Sequence, residues 1–477
     1  MNSKNVVSEG ALYELLSRGN KDLYFFADEA SAVYPYDNRY VPQPPTISEI
    51  RILPPTQVQE FGRPLEFEFE IAGDSIIDPT FLIQLPSWIP QPYDALNSKS
   101  VITDTAGISY GYVKGIAYFL FEKIQFFQDR LLLQEWSGDG LYAISRSRGS
   151  LNSVFLDNEL TGKHNGSALE IGRNATPGLL RLSLPLPGSE VVRDCGFPRL
   201  LAPQQTYRIR CILRKLEDLV EASDGREKPK PWGRTDFQIR TSVGQVSPTR
   251  FSTVNRDLMA KPTIRLETRH VYMDRDTQEG LKNESKKESV ALPFERVYEN
   301  NFVQSPIDYA PLQRNGVATI TRRLDGEHPV ARIVMGFRTQ QTLRKNQYYN
   351  FTADISGGQF YTGMSFYVAG RDREMTWDSL VWKDIVQHAK EERDSGEDLA
   401  FINWTLGDVK GHEFNEPRQI EGSVNFTTAD RPTLQITLAN IPIDPVLNGV
   451  NTRLDVWVDS WASMIFENER GALLFGN

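Results

Sequence analysis

Leu65-Glu66-Phe67-Glu68-Phe69-Glu70-Ile71 alternates strictly between apolar and acidic residues. In an extended chain this period of two puts Leu65, Phe67, Phe69 and Ile71 on one side and the three glutamates on the other. The stretch therefore predicts a β-strand with one buried and one wetted face. The same alternation returns at residues 207–212, 263–268, 434–438 and 454–458. Shorter strand candidates lie at 49–53, 80–85, 119–127, 179–184, 331–337, 351–355 and 422–427. Helical periodicity is confined to 11–17 and 380–393. Many strands with turn-rich connections predict an all-β fold built of sandwiches or barrels rather than βαβ units.

The 477 residues are about three times the ~150-residue prior for one domain, so two domains are expected. Hydrophobic residues at 40% and charged residues at 24% give a globular composition. A net charge of -9 excludes a chain-wide basic field for wrapping nucleic acid, and no direct nucleic-acid partner is expected. Cys195 and Cys211 are the two cysteines; they cannot make a disulfide framework, and a reducing compartment fits. The start, Met1 to Asn5, leads into no apolar segment, so no signal peptide is expected. The most apolar stretch, 116–127, is broken by Glu122 and Lys123 and is too short to span a bilayer.

Residues 221–233 hold two prolines, two glycines and six charges without apolar periodicity. They predict a linker over 221–235 that separates a first β domain (45–220) from a second (236–477), with residues 1–44 as an N-terminal arm. Each half has about eight strand candidates, as a jelly roll of two facing sheets requires. The arm carries Tyr24, Phe25, Phe26, Tyr34, Tyr36 and Tyr40. These rings either pack on their own domain or anchor under a neighbouring subunit.

Tests for chemistry fail one after another. Gly107-Ile108-Ser109-Tyr110-Gly111 fits G-x-S-x-G, but a β-like stretch follows where a nucleophile elbow needs a helix. His412-Glu413 lacks the second histidine of H-E-x-x-H. His164, His270, His328, His388 and His412 form no pair at ligand spacing, so no metal and no cofactor are expected, and His270 reads as a surface residue of its strand. Glu66, Glu68 and Glu70 on one strand face make a solvated ladder, not a carboxylate pair across a cleft. No Walker-type loop occurs. Residues 226–234 are locally basic, which a solvated linker explains. Asn165 and Asn174 head sequons in a polar loop and are the best candidates for an outward-facing sugar.

The order of segments resembles the double jelly-roll major capsid proteins of nucleocytoplasmic large DNA viruses. Gly10-Ala11-Leu12-Tyr13-Glu14-Leu15-Leu16-Ser17-Arg18-Gly19 followed by Asp22-Leu23-Tyr24-Phe25 is similar to the family's opening helix, glycine and Asp-x-Tyr step. Phe81-Leu82-Ile83-Gln84-Leu85-Pro86, residues 116–125 and residues 132–141 follow its Leu-Pro strand, Ile-Glu-Lys-Val strand and Glu-Trp helix start. Residues 267–279, His328-Pro329-Val330, Glu421-Gly422-Ser423-Val424-Asn425-Phe426-Thr427 and the tail from Asp455 to Phe475 resemble later family motifs in the family's order. Met273–Glu279 and Arg470–Leu473 depart from that pattern, which places the chain in a divergent branch.

The resemblance implies a double jelly roll: two consecutive eight-stranded antiparallel rolls, with short helices in long loops. It implies a non-catalytic shell protein that forms homotrimeric, pseudo-hexagonal capsomers of an icosahedral virion assembled in the host cytoplasm. Implied partners are copies of itself, neighbouring capsomers, and minor capsid and penton proteins, with indirect contact to an inner membrane. The rival readings are a minor or vertex capsid protein of the same fold and a secreted β-sandwich carbohydrate-active enzyme. Interface work is expected from the arm and from Trp457, Trp461 and Phe466. Asp276 with Glu279 has capping-box spacing, and the loops at 152–174, 276–299 and 383–399 are expected to form towers or rims.

Overall fold

The alternating stretch forms a strand over Pro64–Glu68, with Leu65 and Phe67 fully buried and Phe69 buried just beyond it. Its wetted face is a charge ladder in which Arg208 of the neighbouring strand pairs with Glu66 at 2.8 Å. The structure is a computed structural model that describes residues 46–69, 73–86, 109–148, 159–162, 166–187, 196–225, 239–240, 246–247, 261–304, 306–351, 361–382, 399–404, 422–428, 432–438 and 452–474.

In chain order the first strands are β1 (Thr46–Leu53), β2 (Pro64–Glu68), β3 (Ser75–Gln84), β4 (Tyr110–Tyr112), β5 (Phe121–Gln128), β6 (Leu131–Trp136), β7 (Leu180–Ser183), β8 (Tyr207–Leu213), β9 (Val220–Ala222), β10 (Ile239–Arg240), β11 (Val246–Ser247) and β12 (Thr263–Met273). They continue with β13 (Val290–Gln304), β14 (Ala318–Arg323), β15 (Pro329–Thr339), β16 (Tyr361–Val368), β17 (Arg371–Asp378), β18 (Ala400–Asn403), β19 (Val424–Asn425), β20 (Thr433–Leu438), β21 (Thr452–Glu467) and β22 (Arg470–Leu473). The helices that matter below are α1 (Ile116–Phe119), α2 (Gly138–Arg148), α3 (Ala168–Arg173) and α4 (Arg275–Lys287).

Four sheets carry the architecture. Two have the orders β1-β12-β3-β7 and β2-β8-β5-β6; the other two have the orders β13-β21-β15-β18 and β14-β20-β16-β17. Replacing each strand of the first pair by its rank gives the second pair, so the chain holds two antiparallel eight-stranded rolls of one topology, as expected. Phe67, Phe81 and Phe121 fill the first core, with Phe81 and Phe121 stacked at 4.9 Å. Ile333, Phe366, Leu434 and Val456 are among the side chains filling the second.

The boundary differs from the expectation. β12 pairs with β1 and β3, so residues 263–273 close the first roll instead of opening the second. Their partners are more than 170 residues earlier in the chain, as the register Leu266↔Phe81 shows, and no local pattern reports such a pairing. The segment expected as a linker from 221 lies inside the first roll's span, and it begins in β9, which pairs with β4. The join between rolls is residues 274–289, occupied by α4. Its N-cap is Asp274, whose carboxylate accepts from Thr277 N; the capping box read at Asp276 and Glu279 does not form, and Glu279 pairs with Arg275 instead. The loop expected at 276–299 is thus a helix followed by a long strand.

Pro293 sits within β13, which tolerates it because β13 is an edge strand of its sheet. The helix read at 380–393 is seen as a single turn up to Trp382, and its remainder lies outside the described residues. The helix read at 11–17 lies outside them as well.

Candidate functional site

The first roll meets the second along one seam. β6, α2 and the chain after β8 come from the first roll. The receiving surface is the outward side of β13, β21 and β15. Strand β21 explains why: its near half points Leu454, Val456 and Val458 into the second core, while Asp455, Trp457 and Asp459 point the other way and are also buried. A strand covered on both sides is the middle layer of the molecule.

The seam is apolar with charges set into it. Val334, Phe351 and Trp457 of the second roll join the first roll's core. Gly336 of β15 leaves room for the Phe351 ring, whose Cδ1 would lie 2.4 Å from a Cβ at that position. Phe351 stands edge-on to Trp457 at 6.3 Å, and Tyr348 packs on Phe119 at 5.5 Å.

Within this layer lie three guanidinium groups and two carboxylates. Arg338 is fully buried; its Nε donates to Asp455 Oδ2 (2.8 Å), its Nη2 to Asp139 Oδ2 (2.9 Å) and its Nη1 to the Tyr348 carbonyl (3.0 Å). Arg214 Nη2 donates to Asp139 Oδ1 at 2.8 Å, with its guanidinium 4.4 Å from the Tyr348 ring. Arg453 Nε lies 2.7 Å from Asp455 Oδ1, and its Nη2 is 3.5 Å from Asp139 Oδ2. Asp139 comes from the first turn of α2, so the first roll contributes Asp139 and Arg214, and the second contributes the rest. Burial alone would raise the Asp139 carboxyl, but Arg214, Arg338 and Arg453 outweigh it and hold the group well below the usual carboxylate range. Burial alone would lower Arg338; Asp455 and Asp139 reverse that and raise it.

Further contacts follow the same line. Arg332 donates to Asp459 at 2.6 Å, with Glu295 at 3.7 Å, all three buried. Gln134 of β6 donates to the Glu295 carbonyl at 2.5 Å. Trp457 Nε1 donates to Glu299 at 2.9 Å, and Ser137 donates to the same carboxylate oxygen. Asn346 donates to the carbonyls of Glu217 (2.9 Å) and Val220 (2.7 Å). At the far end Gln128 donates to the Gly471 carbonyl at 3.0 Å. Buried ion clusters add little net stability compared with apolar packing, but any slip leaves a charge stranded. The seam therefore sets the angle between the rolls and holds it.

The sequence-predicted residues fall elsewhere. Trp457 and Phe466 are buried in the chain's own core, where β21 is covered on both sides, so neither ring has a face left for another subunit. Trp461 is also largely buried, against Ala331. Asn174 is no sugar site: it caps α3 and is buried, with Nδ2 donating to the Tyr112 carbonyl at 2.6 Å. Asn165 and the arm residues Tyr24, Phe25, Phe26, Tyr34, Tyr36 and Tyr40 lie outside the described residues. Ser109 is buried beside Ser223 in the small β4–β9 sheet, with no strand-to-helix elbow. His270 is not a surface residue; it shares the inward parity of Ile264 and Leu266 and sits 2.9 Å from Thr268 Oγ1. Among the described residues no group of three acidic, His or Cys side chains is placed to hold a metal, and no helix is long and apolar enough to cross a membrane.

Sequence reasoning missed the seam, although it left a signal. Arg332 and Arg338 flank an apolar strand, and Asp455 and Asp459 interrupt another. Opposite charges at even spacings in two apolar strands mark a face that is buried yet paired.

Two consecutive rolls of one topology, joined along such a seam, define the double jelly-roll class. No protein-family model matches the sequence, and no curated protein matches it. Solved structures do match. A chain of the PBCV-1 virus capsid is similar with a TM-score of 0.63 at 12% identity, covering 92% of this chain and 98% of that one. The Faustovirus major capsid protein is similar with a TM-score of 0.57 at 12% identity, covering 92% and 94%. A chain of the Sputnik virophage reaches 0.50 at 10% identity, covering 91% and 90%. At such identities the likeness establishes the double jelly-roll fold.

Proposed function

We propose that this chain is a major capsid protein: a non-catalytic subunit that self-associates into homotrimeric, pseudo-hexagonal capsomers of the icosahedral shell of a large DNA virus. The observation that carries the reading is the near end-to-end match of both rolls to the PBCV-1 capsid chain and the Faustovirus major capsid protein. The physics agrees with it. The buried charges of the seam fix one roll against the other. Two uprights held at one angle make a rigid wedge, which repeated copies can tile. Neighbouring capsomers, minor capsid proteins and penton proteins would be the partners in the virion, with assembly in the host cytoplasm and any inner membrane reached indirectly. Negative-stain microscopy of the purified protein tests this: blocks of hexagonal outline that form sheets or shells are expected, and uniformly isolated two-lobed particles would refute it.

A further inference from the structure

Strand β21 does not stop where the second core ends. Its far half places Ala462, Met464 and Phe466 in the first roll's core, with Met464 and Phe466 fully buried there. Their partners in register on β13 are Phe294, Leu292 and Val290, and these pack on the same core, as does Leu473 of β22. A ribbon made by the second roll's sheet thus completes the first roll. The tip of that ribbon is held through its backbone. Gly471 N donates to Gln205 Oε1 at 2.9 Å, and the Gly471 carbonyl accepts from Gln205 Nε2 at 3.3 Å and from Gln128 Nε2 at 3.0 Å. Gln128 ends β5 and Gln205 lies just before β8, so both amides belong to the first roll. The close approach requires glycine: a Cβ at 471 would lie 2.8 Å from Phe466 Cε1 and 3.0 Å from Gln128 Nε2.

The turn before β22 is not self-supporting. The register Glu467↔Arg470 leaves Asn468 and Glu469 as its two central residues, both at positive φ (50° and 62°). Asparagine tolerates that region and glutamate does not, so the hairpin is kept closed by what β22 docks on. Glu469 also lies 3.5 Å from Lys286 in the last turn of α4, an exposed pair that adds little. The start of α4 is tied to the first roll, where Asp74 accepts from Met273 N (2.7 Å) and from Gln278 (2.9 Å).

We infer that residues 468–473 are a strap that locks the angle between the two rolls, and that undocking Gly471 from Gln128 and Gln205 releases that angle. Leverage supports this. β21 runs unbroken from Asp455 in the seam to Phe466, the register partner of Gly471, a span of roughly 35 Å at ~3.3 Å per residue. A hold so far from the Arg338 cluster has a long arm against any turning of one roll on the other. The form of the hold also suits release. It is a strand of four residues closed by an unfavourable turn and fastened by two side-chain amides, and segments with few contacts open locally before the cores do. β22 follows all the strands of both rolls in chain order, so it docks only once both exist. With the strap undocked, α4 is the joint, and the angle can change while each roll stays folded. The inference concerns a single chain and goes beyond the capsid reading.

The test uses the full chain and two single variants that break the hold from either side, Gln205→Ala and Gly471→Ala. Amide hydrogen exchange read by mass spectrometry compares the strap (468–473), the seam (136–142 and 452–457), the first core (80–85) and the second core (433–438). Both variants should exchange at least ~10-fold faster in the strap and in the seam, with both cores as protected as in the parent. Faster exchange confined to the strap shows that it holds nothing beyond itself and overturns the inference. Unchanged exchange overturns it as well, and so does faster exchange in the cores, which marks general destabilisation. Should Gly471→Ala fail to fold, Gln205→Ala decides alone, since Gln205 is half-buried at the edge of the hold. Self-association plays no part in this readout, so the lock and the capsid reading stand or fall separately.

Discussion

Replacing Arg338 by methionine removes the centre of the seam while keeping most of its volume. The side chain is fully buried and gives up two contacts to Asp455 (2.8 and 2.6 Å), one to Asp139 (2.9 Å) and one to the Tyr348 carbonyl. Breaking a buried pair costs about 3–5 kcal/mol because the abandoned charge stays desolvated. Two features place the loss near the lower end. Asp139 keeps Arg214 at 2.8 Å, and Asp455 keeps Arg453 at 2.7 Å. The remaining two arginines still balance the two aspartates, so the expectation for R338M is about 3 kcal/mol. Urea unfolding followed by tryptophan fluorescence reads it, since Trp457 and Trp136 lie near the seam while Trp404 lies in the second core. Because the seam couples the rolls, the variant should also unfold in two separated steps. Adding Asp455→Asn should cost less than its effect alone, since in R338M the aspartate has already lost its Arg338 contacts. A loss under about 1 kcal/mol, or full additivity of the two changes, would refute the reasoning.

Acid should weaken the same seam. The folded Asp139 carboxyl is depressed, so its contribution is complete above the unfolded value near ~4 and falls away as pH drops below it. The urea midpoint of the parent should therefore fall more steeply below pH 4 than that of Asp139→Asn. Gly336→Ala should destabilise by about 1–3 kcal/mol, because its Cβ would meet Phe351 Cδ1 at 2.4 Å and Leu399 Cδ2 at 2.9 Å. Gly280→Ala should act in the opposite sense: it lies within α4 with open space around it, so about 0.5–1 kcal/mol of stabilisation is expected in the same assay. Asn174→Ala should cost about 1–3 kcal/mol by leaving the Tyr112 carbonyl without its donor, and intact-mass spectrometry should find no sugar on Asn174 of the parent.

What the sequence made legible is local. Leu65 and Phe67 point inward and Glu66 meets Arg208 because one strand with one wet side writes its environment at a period of two. The same pattern exposes β8, β12 and β20. β21 was visible only over 454–458, because a strand buried on both sides has no polar phase to alternate with. β13 lies largely in a stretch whose sequence predicts a loop: its fifteen residues pass from the first roll's packing to the second's, and Pro293 breaks the pattern. β17 escaped because nearly every residue on it is exposed and polar residues dominate. The roll boundary is not legible in composition, which marks solvent exposure and not the register by which β12 joins β1 and β3. Trp457 was legible as a large aromatic that buries itself, and the error lay in assigning that burial to a neighbouring chain.

The central claim is that two locked rolls exist to fit against copies of themselves. The mass of the purified full-length protein in solution tests it most directly. The account predicts a species of about three times the 54.2 kDa chain mass. A stable species of one chain mass across the accessible concentration range would contradict it.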